Sequence, residues 1–113
     1  MSLPDPIGQE VTGAASIFAA LGDSTRLALV DRLSTEGPLS ITRLTTGSSM
    51  TRQAITKHLH VLADARLVRD RRQGREHLWE LDPDQLLTAR SSLDRISRQW
   101  DHALGRLKKF VEE

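Results

Sequence analysis

Apolar residues recur at intervals of three and four along most of the chain, a spacing that predicts amphipathic helices. Residues 1–10 lack this spacing and contain two prolines and a glycine, so we expect a flexible N-terminal tail there. The first helix is predicted from Val11 to about Gly22. A second begins after the N-cap candidate Asp23 and ends before Gly37, which a proline follows. The predicted buried stripe of the second helix is Leu27, Val30 and Leu33.

A short helix, a polar turn and a longer helix are predicted next, in the order of a helix-turn-helix. Ser40 is the N-cap candidate of the short helix, which stops near Gly47. Thr51 is the N-cap candidate of the longer helix, which runs to about Ala65. The apolar residues expected to face inward are Ile41 and Leu44 in the short helix and Ile55, Leu59 and Leu62 in the longer one.

The spacing of apolar residues then changes from a helical to an alternating pattern. Two short runs, residues 67–72 and 75–81, flank Gln73 and Gly74. In the second run every other side chain, beginning at His77, shares one face. This pattern predicts a β-hairpin with glycine at its turn, and it leaves the type of turn open.

The last helix is predicted over residues 83–112. Asp82 is its cap candidate, Pro83 suits the first helical position, and Gln85 has the spacing of a capping box. Along it, apolar residues step by three and four without interruption, as in the seam of a coiled coil. A helix of about 28 residues is roughly 42 Å long, whereas a small domain is about 30 Å across. We therefore expect the overhanging part to pair with the same helix of a second subunit.

Composition and charge narrow the class of protein. The 113 residues fit one domain over residues 11–113, and the absence of cysteine excludes disulfides, thiolate metal sites and a cysteine nucleophile. No apolar run is long enough for a membrane helix and no signal-peptide pattern is present, so we expect a cytoplasmic protein. Residues 40–75 carry eight basic and two acidic residues, a net charge of +6, whereas the remainder carries eight basic and thirteen acidic residues, a net charge of −5. This asymmetry indicates either a nucleic-acid-binding face or a solvated charged surface.

Basic and amide side chains occupy the face of the longer helix opposite its inward-facing residues. Such side chains can hydrogen-bond to base edges, and a helix N-terminus favours a nearby phosphate. The arginine-rich hairpin tip would suit the flanking DNA backbone or the minor groove. The plainer alternatives are a solvated helix face and a charged strand edge that prevents aggregation. The candidate DNA-binding residues are Ser40, Thr51, Arg52, Gln53, Thr56, Lys57, Arg71, Arg72, Gln73 and Arg75.

Four segments together resemble the ArsR-type winged-helix transcriptional regulators of bacteria and archaea, and the resemblance covers about residues 12–113. They are LGDSTRL at 21–27, GPLS at 37–40, MTRQAITKHLHVLADARLV at 50–68 and the arginine-rich stretch at 71–82. The resemblance implies a mainly helical winged helix-turn-helix fold with five helices and a two-stranded wing. It also implies a homodimeric repressor, with the helix 51–65 in the major groove of an inverted-repeat operator and the wing 71–75 on flanking DNA.

The resemblance further implies that the first and last helices form the dimer interface. The residues expected there are Phe18, Leu86, Ala89, Leu93, Ile96, Trp100, Ala103, Leu107 and Phe110. Members of the family often have glycine where this chain has Arg66, so we expect that position to need a positive φ.

Many members of this family sense metals through cysteine pairs or through Asp and His pairs on the last helix. Here Asp101 and His102 are adjacent and point about 100° apart, and His58 and His60 also diverge, so we expect no metal and no other cofactor. The alternative that the sequence leaves open is a zinc site shared between two subunits. No catalytic triad, paired carboxylates or phosphate-binding glycine loop is visible, which argues against an enzyme. The alternative function is a winged-helix protein-interaction module, in which apolar residues would replace the basic ones. The sequence identifies no inducer.

Overall fold

The computed structural model describes residues 6–112, with side chains from Ala14 onward. Five helices and three strands occur in this range, so the predicted fold of five helices and a β-hairpin is confirmed, with one short strand added. In chain order they are α1 (Pro6–Leu21), α2 (Ser24–Glu36), β1 (Leu39–Ser40), α3 (Ile41–Thr45), α4 (Arg52–Asp64), β2 (Val68–Gln73), β3 (Glu76–Leu81) and α5 (Pro83–Glu112).

The first helix begins earlier than predicted. Residues 6–10 are helical, so the expectation of a flexible tail over residues 1–10 is wrong for them, while residues 1–5 lie outside the described range. Proline is favoured at the first helical position because its missing N–H would have no partner in the helix anyway, and Pro6 takes that position.

The buried stripe of α2 is rotated from the predicted one. Leu27 is 53% exposed, whereas Leu29 is 6% exposed and joins Val30 and Leu33 in the core. Arg26 and these three residues follow the i, i+3, i+4, i+7 spacing of one helix face. A stripe spaced only by threes, as predicted, drifts around the helix and leaves that face.

One apolar core joins α1, α2, α4 and the base of the sheet. Its largest fully buried side chains are Ile17, Leu44, Ile55, Leu59, Leu62 and Leu67. The three predicted inward-facing residues of α4 are therefore confirmed, as is Leu44, and Ile41 is half-buried against the same core. Fully burying an aliphatic side chain of this size contributes about 1.5–3 kcal/mol.

The three strands form an antiparallel sheet in the order β1-β3-β2. Gln73 pairs with Glu76, so the hairpin turn consists of Gly74 and Arg75 alone. The φ of Gly74 is +64°, whereas the φ of Arg75 is not positive. These signs identify a type II′ turn, which matches the right-handed twist of the flanking strands.

The start of α5 differs from the predicted capping box. The Asp82 carboxylate accepts a hydrogen bond from the backbone N–H of Asp84 at 3.0 Å, as a cap should. In a capping box, the Gln85 side chain would accept a hydrogen bond from the backbone N–H of Asp82. That N–H instead donates to the carbonyl of Leu67 at 2.9 Å. The Gln85 amide instead donates to the carbonyl of Ala65 at 2.8 Å, which ties α5 to the end of α4.

Arg66 ends α4 in a left-handed backbone conformation, with φ of 64°. The Arg66 N–H donates to the carbonyl of Ala63 at 2.9 Å and the Leu67 N–H to that of Leu62 at 3.0 Å. This is the bond pattern of a Schellman motif, including the apolar contact between its two ends. The predicted positive φ is confirmed, and a side chain other than glycine is strained there.

Replacing Arg66 with glycine should therefore stabilise the protein. Relief of the left-handed strain outweighs the extra freedom of glycine in the unfolded chain, so we expect an increase of about 0.5–1 kcal/mol in the free energy of unfolding. Denaturant unfolding measures it. Arg66→Ala is the control, because it removes the arginine side chain but keeps Cβ; an equal increase in both variants would contradict backbone strain as the cause.

Candidate nucleic-acid interface

The buried stripe of α4 determines which of its side chains reach solvent. Ile55, Leu59 and Leu62 pack into the core. Because a helix turns every 3.6 residues, the first two turns present their remaining side chains on the opposite face. There the structure places Arg52, Gln53 and Lys57 exposed and Thr56 half-buried. The helix-turn-helix thus brings together the predicted reading residues of α4 on one accessible surface.

The three predicted DNA-binding residues that carry a hydroxyl group each form a hydrogen bond with the protein's own backbone. Thr51 caps α4, its Oγ1 accepting from the N–H of Ala54 at 3.1 Å, and Ser40 caps α3 in the same way. The Thr56 hydroxyl donates to the carbonyl of Arg52 at 2.8 Å. Its proton is therefore occupied, which leaves the Thr56 methyl group and the oxygen lone pairs for any external contact.

The arginines of the wing, the hairpin β2–β3, divide into two groups. Arg69 Nε lies 3.0 Å and Arg71 Nη1 lies 3.4 Å from the two carboxylate oxygens of Glu80. Arg71 Nη2 also donates to the side-chain oxygen of Gln73 at 3.0 Å. In the part of the chain that the structure describes, Arg72 and Arg75 form no ion pair. The sequence did not reveal this division, because it depends on the register that places Glu80 opposite Arg69.

A polar cluster that the sequence did not reveal fixes α4 against the rest of the domain. Arg26 Nε donates to the carbonyl of Ala20 at 2.6 Å, and its Nη1 lies 3.3 Å from His58 Nδ1. Asp23 Oδ1 lies 3.9 Å from the same nitrogen. Arg26 therefore links the end of α1, the start of α2 and the middle of α4.

Asp23 is the acidic member of that cluster. Its carboxylate accepts hydrogen bonds from the N–H groups of Arg26 at 3.0 Å and Thr25 at 2.9 Å. The pKa of Asp23 lies below its usual value of 3.8, chiefly because the Arg26 N–H bonds to the charged form. Partial loss of hydration opposes this shift, while the Arg26 guanidinium and His58 favour it.

Within the described part of one subunit, each histidine lies apart from the other histidines. Among the described residues, no group of three or more His, Asp or Glu side chains is placed to hold a metal ion. His77 pairs with Asp70, 2.8 Å from Nε2 to Oδ2, and the ring of His60 lies 6.0 Å from that of Trp79. His58 contacts Arg26.

Helix α5 carries an apolar face that its own domain covers only at the start. Ala89 is buried and Leu86 packs against the core of the same subunit, so these two residues of the predicted interface contact their own domain. From there on the large apolar side chains are exposed, to 46% at Ile96 and 63% at Trp100. The exposed large apolar residues of α5 are Leu87, which precedes Ala89, and Leu93, Ile96, Trp100, Leu104, Leu107, Phe110 and Val111. Of the described helices, none combines the length and the apolar content required to cross a bilayer.

A groove runs between α1 and this face of α5. It has a volume of about 260 Å³, and Phe18 and Ile96 are its largest apolar side chains. Of the predicted interface residues, Phe18, Leu86 and Ala103 are half-buried within one subunit.

Comparison with known proteins agrees with this architecture. The family described as "Helix-turn-helix domain" matches residues 21–71. The HTH-type transcriptional regulator Rv2034 of Mycobacterium tuberculosis is 44% identical over 95 residues, which span 84% of this chain and 85% of that protein. An ArsR-like transcriptional regulator from Rhodococcus sp. RHA1 has a similar structure, with a TM-score of 0.76, 34% identity, and coverage of 88% of this chain and 93% of that one.

A third comparison bears on the fold alone. The homodimeric winged helix-turn-helix DNA-binding domain Mb0332 from Mycobacterium bovis superposes with a TM-score of 0.64 at 22% identity, covering 84% of this chain and 89% of that chain.

The Asp23 cap should make the free energy of unfolding depend on pH. A carboxyl whose pKa is lowered by folding stabilises the fold above its unfolded pKa, here near 3.8, and this contribution is lost as the pH falls through the folded pKa. Asparagine keeps the acceptor oxygen but does not titrate. We therefore expect the stability advantage of wild type over Asp23→Asn to be constant above about pH 5 and to shrink as the pH falls from there to about 3.

Denaturant unfolding at several pH values measures this difference. The control is Asp31→Asn, which removes an exposed carboxylate from the middle of α2. A constant difference between wild type and Asp23→Asn across the range would refute the role of the charged cap.

Proposed function

This chain belongs to the ArsR-type family of winged helix-turn-helix transcriptional regulators, and we propose that it is a homodimeric repressor that binds an inverted-repeat operator in duplex DNA. The observation that carries the proposal is the exposed face of α4, where Arg52, Gln53 and Lys57 stand opposite a fully buried stripe. The core of a protein interface is depleted of charged residues, so the two basic side chains on this face favour DNA over a protein partner.

In the proposed complex α4 lies in the major groove and reads base edges. Arg52 and Lys57 have donors that suit guanine, and the amide of Gln53 suits adenine. The Thr56 methyl group suits contact with a thymine methyl, because the hydroxyl proton is already bonded to the Arg52 carbonyl. The N-terminus of α4 adds a site for a phosphate.

The wing supplies contacts that position the protein without reading sequence. Arg72 and Arg75 are exposed at or beside the type II′ turn and are not paired with a carboxylate in the described structure. Unpaired guanidiniums at a hairpin tip suit phosphates of the flanking backbone.

The shape of the subunit supports the proposed homodimer through α5. The radius of gyration is 18.5 Å, whereas a compact chain of this length has about 13 Å. The excess reflects α5, which at 30 residues is about 45 Å long and exposes apolar side chains from Leu93 onward. A two-fold dimer covers the same patch on both subunits, and it presents two α4 helices to two half-sites of opposite orientation. The homodimer described for Mb0332 supports this arrangement.

The dimer proposal predicts that one charge in the exposed seam separates the subunits. Ile96→Asp places a carboxylate in the proposed interface, so we expect monomers at micromolar concentration in sedimentation equilibrium. Ile96 is 46% exposed in the subunit, so the fold should survive, which the circular-dichroism melting curve checks. Ser91→Asp, on the opposite face of the same helix, is the matched control and should stay dimeric. If the Ile96→Asp variant stayed dimeric, this face of α5 would not be the dimer interface.

The DNA proposal predicts that replacing an arginine of α4 and replacing arginines of the wing have different effects on DNA binding. An operator is first selected from random duplexes. Arg52→Ala should then weaken operator binding by about 1–3 kcal/mol and relax the preference at one base pair per half-site. Arg72→Ala with Arg75→Ala should weaken operator and scrambled DNA alike, and flatten the slope of log K against log salt by about one for each phosphate that the wing no longer binds.

A salt titration of each variant on both DNAs measures these effects. Arg98→Ala removes an exposed arginine of α5 and is the control that should bind as wild type. If no selected duplex binds better than scrambled DNA, the reading role of α4 is wrong, and a protein partner becomes the better explanation of the surface.

A further inference from the structure

Glu80 is the carboxylate that holds two of the wing arginines. Its side chain is only 15% exposed, although the two arginine side chains that contact it are about half exposed. One oxygen lies 3.0 Å from Arg69 Nε and the other 3.4 Å from Arg71 Nη1. Arg69 is its direct cross-strand partner, and Arg71 reaches it diagonally from two residues farther along β2.

We propose that Glu80 limits the number of DNA phosphates that the wing binds, by holding Arg69 and Arg71 against the hairpin. The inference rests on the proposed DNA-binding function and adds a residue that sets the strength of binding. Glu80 is a positioning residue in this proposal, since it acts only through the two arginines.

The hydrogen bonds of Arg71 support this assignment. Both of its terminal nitrogens already contact protein oxygens, Nη1 that of Glu80 and Nη2 that of Gln73. A phosphate that binds guanidinium end-on uses the same two nitrogens, so it competes with acceptors that are already in place. A largely buried carboxylate is a strong competitor, because its attraction to arginine is screened less by water and salt than that of an exposed phosphate.

The other carboxylates of the wing differ from Glu80. Asp70 pairs with His77 and not with an arginine. Glu76, beside the turn, is exposed and forms no ion pair in the described part of the chain. Glu76 therefore carries the same charge on the same strand, nearer the tip, without restraining an arginine. It offers a control that separates release of the arginines from a change in overall charge.

The experiment measures binding of the full chain to a duplex of about 30 base pairs and arbitrary sequence, long enough for two half-sites one helical turn apart. We expect Glu80→Gln to bind roughly threefold to tenfold more tightly at about 0.1 M salt. The slope of log K against log salt should steepen by about one for each additional phosphate that the wing binds. Glu76→Gln should change neither quantity appreciably.

Two further variants test the mechanism. Glu80→Asp keeps the charge but shortens the side chain, so it should still release Arg71 and steepen the salt slope. In a background where Arg69 and Arg71 are both glutamine, Glu80→Gln should not tighten binding. Melting curves check that each variant is folded, and Glu80→Asp serves as the test if Glu80→Gln is not.

Three outcomes would overturn the proposal. Weaker binding and a shallower slope in Glu80→Gln would mean that Glu80 directs the arginines toward DNA. Equally tightened binding in Glu76→Gln would mean that only net charge matters. Tighter binding that persists without Arg69 and Arg71 would mean that Glu80 acts through other groups. Failure of wild type to bind any duplex would instead refute the proposed function itself.

Discussion

The rest of the structure depends on the packing of the apolar stripe of α4 into the core. Ile55, Leu59 and Leu62 are almost completely removed from water, and together they pack α4 against α1, α2 and the base of the sheet. The rotation of a helix about its axis is determined by the residues that it buries. The packing that stabilises the domain therefore also orients Arg52 and Lys57, so the exposed surface needs no contacts of its own to hold its geometry.

The end of α4 extends this control to the wing and to α5. The Leu67 N–H closes the Schellman motif, and its carbonyl accepts the hydrogen bond from Asp82 that starts α5. Gln85 adds a second link, from the first turn of α5 to Ala65 at the end of α4. Because a handful of hydrogen bonds around one turn joins the three elements, the direction of α5 and that of α4 are fixed together. In a dimer through α5, this junction determines the separation of the two α4 helices.

Local signals made most of the fold predictable from sequence. The predicted N-caps Asp23, Ser40 and Thr51 each accept the expected backbone hydrogen bond, because capping depends on residues only two or three positions away. Features that depend on distant parts of the chain were missed. Strand β1 has two residues and exists only through its pairing with β3, and Gln85 bonds to a carbonyl of α4 instead of its own helix. The candidate α4 surface was predictable for the same local reason, whereas the pairing of Glu80 with two arginines required the hairpin register.

The wing illustrates how a charged, exposed element stays folded. Four arginines lie between positions 69 and 75 and repel one another, and a two-stranded hairpin alone is marginal in water. Its base compensates, since Val68 and Leu78 are buried and Trp79 packs against the core. Glu80, close to that base, neutralises the repulsion between the two arginines nearest the domain. The arginines farther out, Arg72 and Arg75, have no such partner in the described structure, so the positive potential is concentrated at the tip, where an external anion can relieve it.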